Sequence, residues 1–156
     1  MSLDQQIEQL VAEAPPDGQT PQIVKAIAPA LKYFAGKLQH QHYYILQNLD
    51  ERWVVHTLSN RAQPEKQKRV IYAFPSVKDA TQNLTTSPTS QAVAISMPVT
   101  HILFQLLALK TIDSLIFFET PGNLSSGVEV GQEDFQNLIQ VQLKHAFGQQ
   151  PPRNMA

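Results

Sequence analysis

The residues able to do chemistry are few, and their spacing is telling. Histidines stand at 40, 42, 56, 101 and 145. His40-x-His42 is the spacing that puts two imidazoles on one side of an extended chain, a minimal metal pair. The chain has no cysteine, and no acid near the pair completes a ligand set; we read both as surface histidines. Covalent catalysis needs a nucleophile beside a base that a third group orients. Ser87, Ser90, Ser125 and Ser126 lie in loop-like segments, and no Gly-x-Ser-x-Gly elbow is present. TPGNLSSG at 120–127 has the glycines of a phosphate loop without its Gly-Lys-Ser/Thr ending, and no long helix opens directly from it. Glu133 and Asp134 open the final helical pattern, where acids complement the helix dipole. Their spacing alone cannot build a glycosidase-type carboxylate pair.

Lys66, Lys68 and Arg69 are the densest basic group, close in sequence to Tyr72. Bases interleaved with aromatics suit single-stranded nucleic acid. Three charges in one loop are thin support, and a net charge of −1 disfavours strong attraction to nucleic acid or acidic lipid. Charge is nonetheless uneven. Residues 1–17 carry only acids, the stretch from Lys25 to Lys110 holds ten bases against four acids, and the remainder is again acidic. This pattern either self-neutralises in the fold or favours an acidic partner. What remains is large amphipathic surface. Tyr44, Trp53, Val55, Arg69 and Tyr72 are the candidate partner-binding residues, because stiff aromatic side chains and arginine suit interface anchors. An apolar groove would take a partner's side chains while a strand edge supplies main-chain hydrogen bonds. The expected protein is therefore a non-enzymatic protein-binding module with no cofactor and no metal. The alternative is a small ligand-binding regulator or enzyme that uses loop 120–127 together with Glu119 and His101.

The elements that must position these residues follow from periodicity. The chain suits one domain: 156 residues, 42% apolar and 16% charged. Leu3, Ile7, Leu10, Val11 and Ala14 recur at helical spacing until PPDG at 15–18 stops them. Thr20-Pro21 starts a second helix along Ile23, Val24, Ile27, Leu31 and Phe34; Pro29 should kink or split it, and Gly36 should end it. YYILQNLDERWVVHTL reads as a hairpin around Asn48–Arg52, SNRAQPEKQK as a loop, and RVIYAF at 69–74 as a third antiparallel strand. Ser76 and Asp79 form a variant capping box for a short helix. After the loop TTSPTSQ, AVAISM at 92–97 is a strand or the lead-in to a helix running from Val99 to Lys110. SLIFFE at 114–119 is a buried strand, GVEV a short extended piece, and Gln132–Phe147 the last helix. The fold class is thus α/β (α+β), a mixed, mainly antiparallel sheet of about five strands with packing helices. Residues 1–38 form a helical pair packing on a domain at 39–148, and 149–156 form a flexible tail. The acidic amphipathic start does not look like a signal peptide, and the apolar stretch at 97–109 is too short and broken to span a membrane. A cytoplasmic protein is expected.

The order of these elements and some of their local words resemble a known family. WVVHTL, then RVIYAFPSVKDA, then LIFFETPGNLSSGVEVGQEDFQNL is similar to the SseB-like N-terminal domain over about residues 42–143. The chain departs from that pattern at Pro75, where threonine is common, and in the order Thr120-Pro121-Gly122-Asn123. It also carries two extra helices in front. The resemblance implies the same α/β fold and offers no catalytic residues to carry over. Length, glutamine richness and the added helices also resemble the CcmS-type carboxysome assembly factors of photosynthetic bacteria. That likeness implies a chaperone-like role in which the C-terminal extension of a carboxysome shell protein is the partner.

Overall fold

A computed structural model describes residues 2–60, 62–85 and 92–148. Strand β1, His42–Gln47, alternates: Tyr43 and Ile45 face one side, Tyr44 and Leu46 the other. The predicted turn follows. The Asn48 side-chain oxygen accepts from the backbone of Asp50 (2.9 Å) and Arg52 (3.0 Å), and Glu51 takes φ 61°. The two arms then part company. Among the described residues the Asn48 N–H to Arg52 carbonyl bond (2.8 Å), the Gln47–Trp53 bridge and the Val54 N–H to Leu46 carbonyl bond (2.9 Å) join them, and no ladder continues beyond. The chain instead runs on as β2, His56–Asn60, and pairs antiparallel with β3, Gln63–Phe74. Most of the expected loop SNRAQPEKQK is therefore strand. Its polar composition is that of a solvated two-stranded ribbon, where pairing satisfies the backbone and few side chains need a core.

Strands β4 (Val93–Pro98), β5 (Ser114–Phe118) and β6 (Gly127–Gly131) complete a six-stranded sheet ordered β4-β1-β3-β5-β6, with β2 on β3. Only β3–β5 is parallel. The segment FFETPGNLSSGVEV is thus the β5–β6 connection. Gly122 adopts φ 83° there, and its N–H donates to both carboxylate oxygens of Asp79 at 3.1 Å. Gly127 lies opposite Phe118, where a Cβ would come within 2.9 Å of the Phe117 carbonyl oxygen. Replacing Gly127 by Ala must push β6 off β5. We expect a loss of about 1–2 kcal/mol, read as a lowered urea midpoint with an unchanged slope; an unchanged midpoint would refute the close approach.

One sheet face carries Tyr43, Ile45, Ile71, Ala73, Leu115, Phe117 and Val130. Four helices cover it: α1 (Leu3–Glu13), α2 (Thr20–Gly36), α4 (Val99–Gln105) and α5 (Gln132–Phe147). Among the described helices, α3, Val77–Thr85, lies on the other face, where its Ala80 packs on Leu46, Phe74 and Phe118. Ser2 and Gln5 cap α1 reciprocally. Ahead of α2 the Asp17 carboxylate accepts from the Thr20 hydroxyl (2.6 Å) and from the amides of Thr20 and Gln19. These bonds, led by the hydroxyl, lower its pKa to about 2. Pro29 does not split α2. It lies on the exposed side, so the carbonyl it leaves unbonded can reach water. Helix α4 is shorter than its periodicity predicts. From Leu106 to Leu109 each N–H bonds three residues back, and the Gln132 side-chain amide satisfies the Leu106 and Leu109 carbonyls. Among the described residues no helix is long and apolar enough to cross a membrane.

Candidate protein-binding cleft

The strand alternation that builds the sheet also sorts the candidate residues. The Gln47–Trp53 bridge sets the indole on the helix-covered side, and Val55, two residues on, shares that side. Arg69 and Ile71 on β3 have the same parity. Trp53, Val55 and Arg69 consequently line one cleft of about 450 Å³. Ile71, Ile112 and Leu109 supply apolar wall; Gln105, Thr111, Glu51 and Arg52 complete the rim. Strand β3 is pinned at both backbone groups of Arg69. Its N–H donates to the Asp113 carboxylate, and its carbonyl accepts from the Asp113 amide, each at 2.8 Å. Among the described residues neither Arg52 nor Arg69 forms an ion pair. The cleft is therefore an apolar slot with one half-buried indole, two guanidinium side chains that form no ion pair among the described residues, and one acid, Glu51, on the same rim.

Tyr44 and Tyr72 do not belong to it. Position 72 has the opposite parity to 69 and 71, so its ring lies on the α3 side. There it packs on His56 (4.6 Å between ring centroids) and Phe118 (5.3 Å). Tyr44 shares that face with Leu46 and Phe74. The five residues are thus split three and two across the sheet, and the structure does not bring them into one site. The basic group is divided too. Lys68 pairs with Glu129, which also accepts from the Ser114 hydroxyl, while Arg69 points to the other face. The Lys68 hydrogen bond, then that of Ser114, holds the Glu129 pKa below the usual carboxylate range. Burial lowers the His56 pKa, which favours the neutral imidazole against Tyr72.

The residues of the alternative reading do not converge. The Glu119 carboxylate accepts from the Tyr43 hydroxyl and from the Gln39 amide. Burial first, then this bond, raises the Tyr43 pKa. The ring of His40 contacts the Glu119 carbonyl at 2.7 Å, so this histidine is a structural tie and not a free surface group. His101 bonds the Gln6 carbonyl of α1 (3.2 Å), and loop 120–127 is tied to α3 through Asp79. Each leads to a different element. Among the described residues no group of three or more His, Asp or Glu is placed to hold a metal. A larger hollow of about 560 Å³ opens at the start of α5, but Lys68, Asp113, Glu133 and Asp134 make it polar, and it lacks an apolar floor. The cleft beside Trp53 has the more apolar lining, with Trp53, Val55, Ile71, Leu109 and Ile112.

Sequence reasoning missed Arg52, Leu109 and Ile112 as cleft walls. Arg52 adjoins Trp53, so a second cation beside the indole was readable. Leu109 and Ile112 reach the cleft only because α4 tightens after Gln105, which periodicity does not foretell. Compared with known proteins, the chain matches no protein-family profile, and no curated protein is significantly similar to it.

Proposed function

We propose that the chain is a non-enzymatic protein-binding module that captures a peptide segment of a partner protein in the Trp53–Val55–Arg69 cleft. The observation that carries this reading is the combination of an indole, an apolar wall and two unpaired guanidinium groups in one concavity. Strand β2 begins one residue after Val55 and pairs with β3 alone among the described strands, so its outer edge is available for an added strand. The fitting segment is extended, places an apolar side chain in the slot and carries an acidic group for Arg52 and Arg69. The module acts in the cytoplasm as a chaperone-like assembly factor. Its likeness to the CcmS-type carboxysome factors makes the C-terminal extension of a carboxysome shell protein the first partner to test.

The test is calorimetric titration of the intact chain with a synthetic peptide of that extension and with a scrambled peptide of equal charge. Saturable binding of the first alone is expected. If neither binds, and capture from native extract recovers no protein, the reading fails.

A further inference from the structure

Beyond peptide capture, we propose that the outer edge of β4 pairs with the same edge of a second copy of this chain, making a two-fold dimer with one continuous sheet. Strand β4 ends the sheet path, and among the described strands it pairs with β1 alone. Sheet edges in proteins are ordinarily guarded by charges, bulges or cover, because an open edge templates pairing. The opposite edge, β6, has such a guard: Glu129 at its centre, paired with Lys68. Strand β4 has no charge, its one guarding residue is Pro98 at its last position, and the sequence has no Asp, Glu, Lys or Arg anywhere from 80 to 109. It also leaves two β-branched side chains in water, Val93 at 55% and Ile95 at 36% exposure.

The occupant is a second copy because the strand is complementary to itself. An antiparallel two-fold centred on Ile95 sets Ile95 against Ile95 of the partner subunit, Val93 against Met97, and Ala94 against Ser96. On the helix side this gives a row of apolar side chains, and on the other side only small ones. No like charges oppose. The strand's two ends also differ in shape. Val93 projects at one end, while beside Met97 at the other lies a hollow of about 350 Å³ whose wall combines apolar Leu10 and Phe104 with polar Glu13 and His101. A two-fold exchanges the ends, so each Val93 meets the other copy's hollow, as an isologous interface requires.

The experiment is light-scattering mass and sedimentation equilibrium on the intact chain and on Ile95→Lys and Ile95→Glu, with circular dichroism as the folding control. The wild type should show twice the chain mass, and each variant alone the single mass. Mixing I95K with I95E should restore the doubled mass, since the two substituted positions face each other across the axis. A wild type that stays monomeric at every concentration overturns the proposal. So does a dimer that both variants retain. Ile95→Cys provides a readout independent of any folding defect in the charged variants. The natural chain has no cysteine, so mild oxidation should yield a covalent dimer through position 95; a chain that remains monomeric after oxidation also overturns it. Position 95 is outside the Trp53 cleft, so peptide titration of I95K separates failure of the dimer from failure of capture.

Discussion

If the Trp53 cleft captures the partner segment as proposed, Trp53→Ala should weaken that capture by about a hundredfold, whereas Tyr44→Ala should leave it within about twofold. The two residues look equivalent in the sequence: large, amphipathic, and on neighbouring strands. The sheet makes them opposites. Trp53 is held on the helix side by its bridge to Gln47 and lines the cleft, while Tyr44 lies on the α3 side with Leu46 and Phe74. Tryptophan is among the residues enriched at hot spots, and truncating it removes the cleft's largest apolar contact surface. Trp53 is partly exposed and outside the fully buried core, so the variant should remain folded, which near-native far-ultraviolet dichroism and an unfolding midpoint close to wild type would confirm. Equal losses in both variants would mean that the captured segment wraps both faces or that each change acts through the fold. A loss confined to Tyr44→Ala would move the site to the α3 side and sink the cleft.

That split shows what a sequence can and cannot carry. Local chemistry was legible wherever one residue type dictates a backbone feature. The Asn48 turn, the Ser76–Asp79 cap and the α5 boundaries all follow from such residues. The α/β class and the mainly antiparallel sheet follow from period and order. Parity within β3 was also readable, since 69 and 71 must oppose 72. Parity between β1 and the residues after its turn was not. It depends on how many residues the turn consumes and on where the second arm leaves β1 for β3. The strand residues Ser59–Asn60 and Gln63–Lys68 escaped for a related reason. They are held by pairing and carry little buried surface, so no apolar alternation marks them. Pro29 misled because the rule for proline assumes that the lost bond is buried, and here it faces water.

Gln6→Leu should destabilise the fold by about 3 kcal/mol, a change that a polar residue on an N-terminal helix would not suggest. The helical periodicity of α1 named Leu3, Ile7, Leu10, Val11 and Ala14 as its inward face, yet Gln6 is fully buried. Its amide does the work of a missing helix cap. The Gln6 oxygen accepts from the Thr100 amide at 3.0 Å and the Thr100 hydroxyl at 2.7 Å, and its nitrogen donates to the Gln41 carbonyl at 3.0 Å. Thr100 lies in the first turn of α4, where amides have no partner within the helix. Leucine fills similar volume but leaves that amide and hydroxyl buried and unmatched, each costing about 1–3 kcal/mol, while Gln41 keeps its bond from the Val99 amide. Chemical denaturation checks the loss, and a cycle with Thr100→Val should return a coupling of about 1 kcal/mol. The exposed neighbour Glu8→Ala serves as control and should stay within about 0.5 kcal/mol of wild type. A Gln6→Leu variant as stable as that control would mean that water reaches the start of α4. The consequence extends to function, because Gln105 at the far end of α4 forms part of the Trp53 cleft. Loosening α1 from α4 should then weaken peptide capture under conditions where the chain is still folded, so that the N-terminal helix holds the shape of a cleft it does not touch.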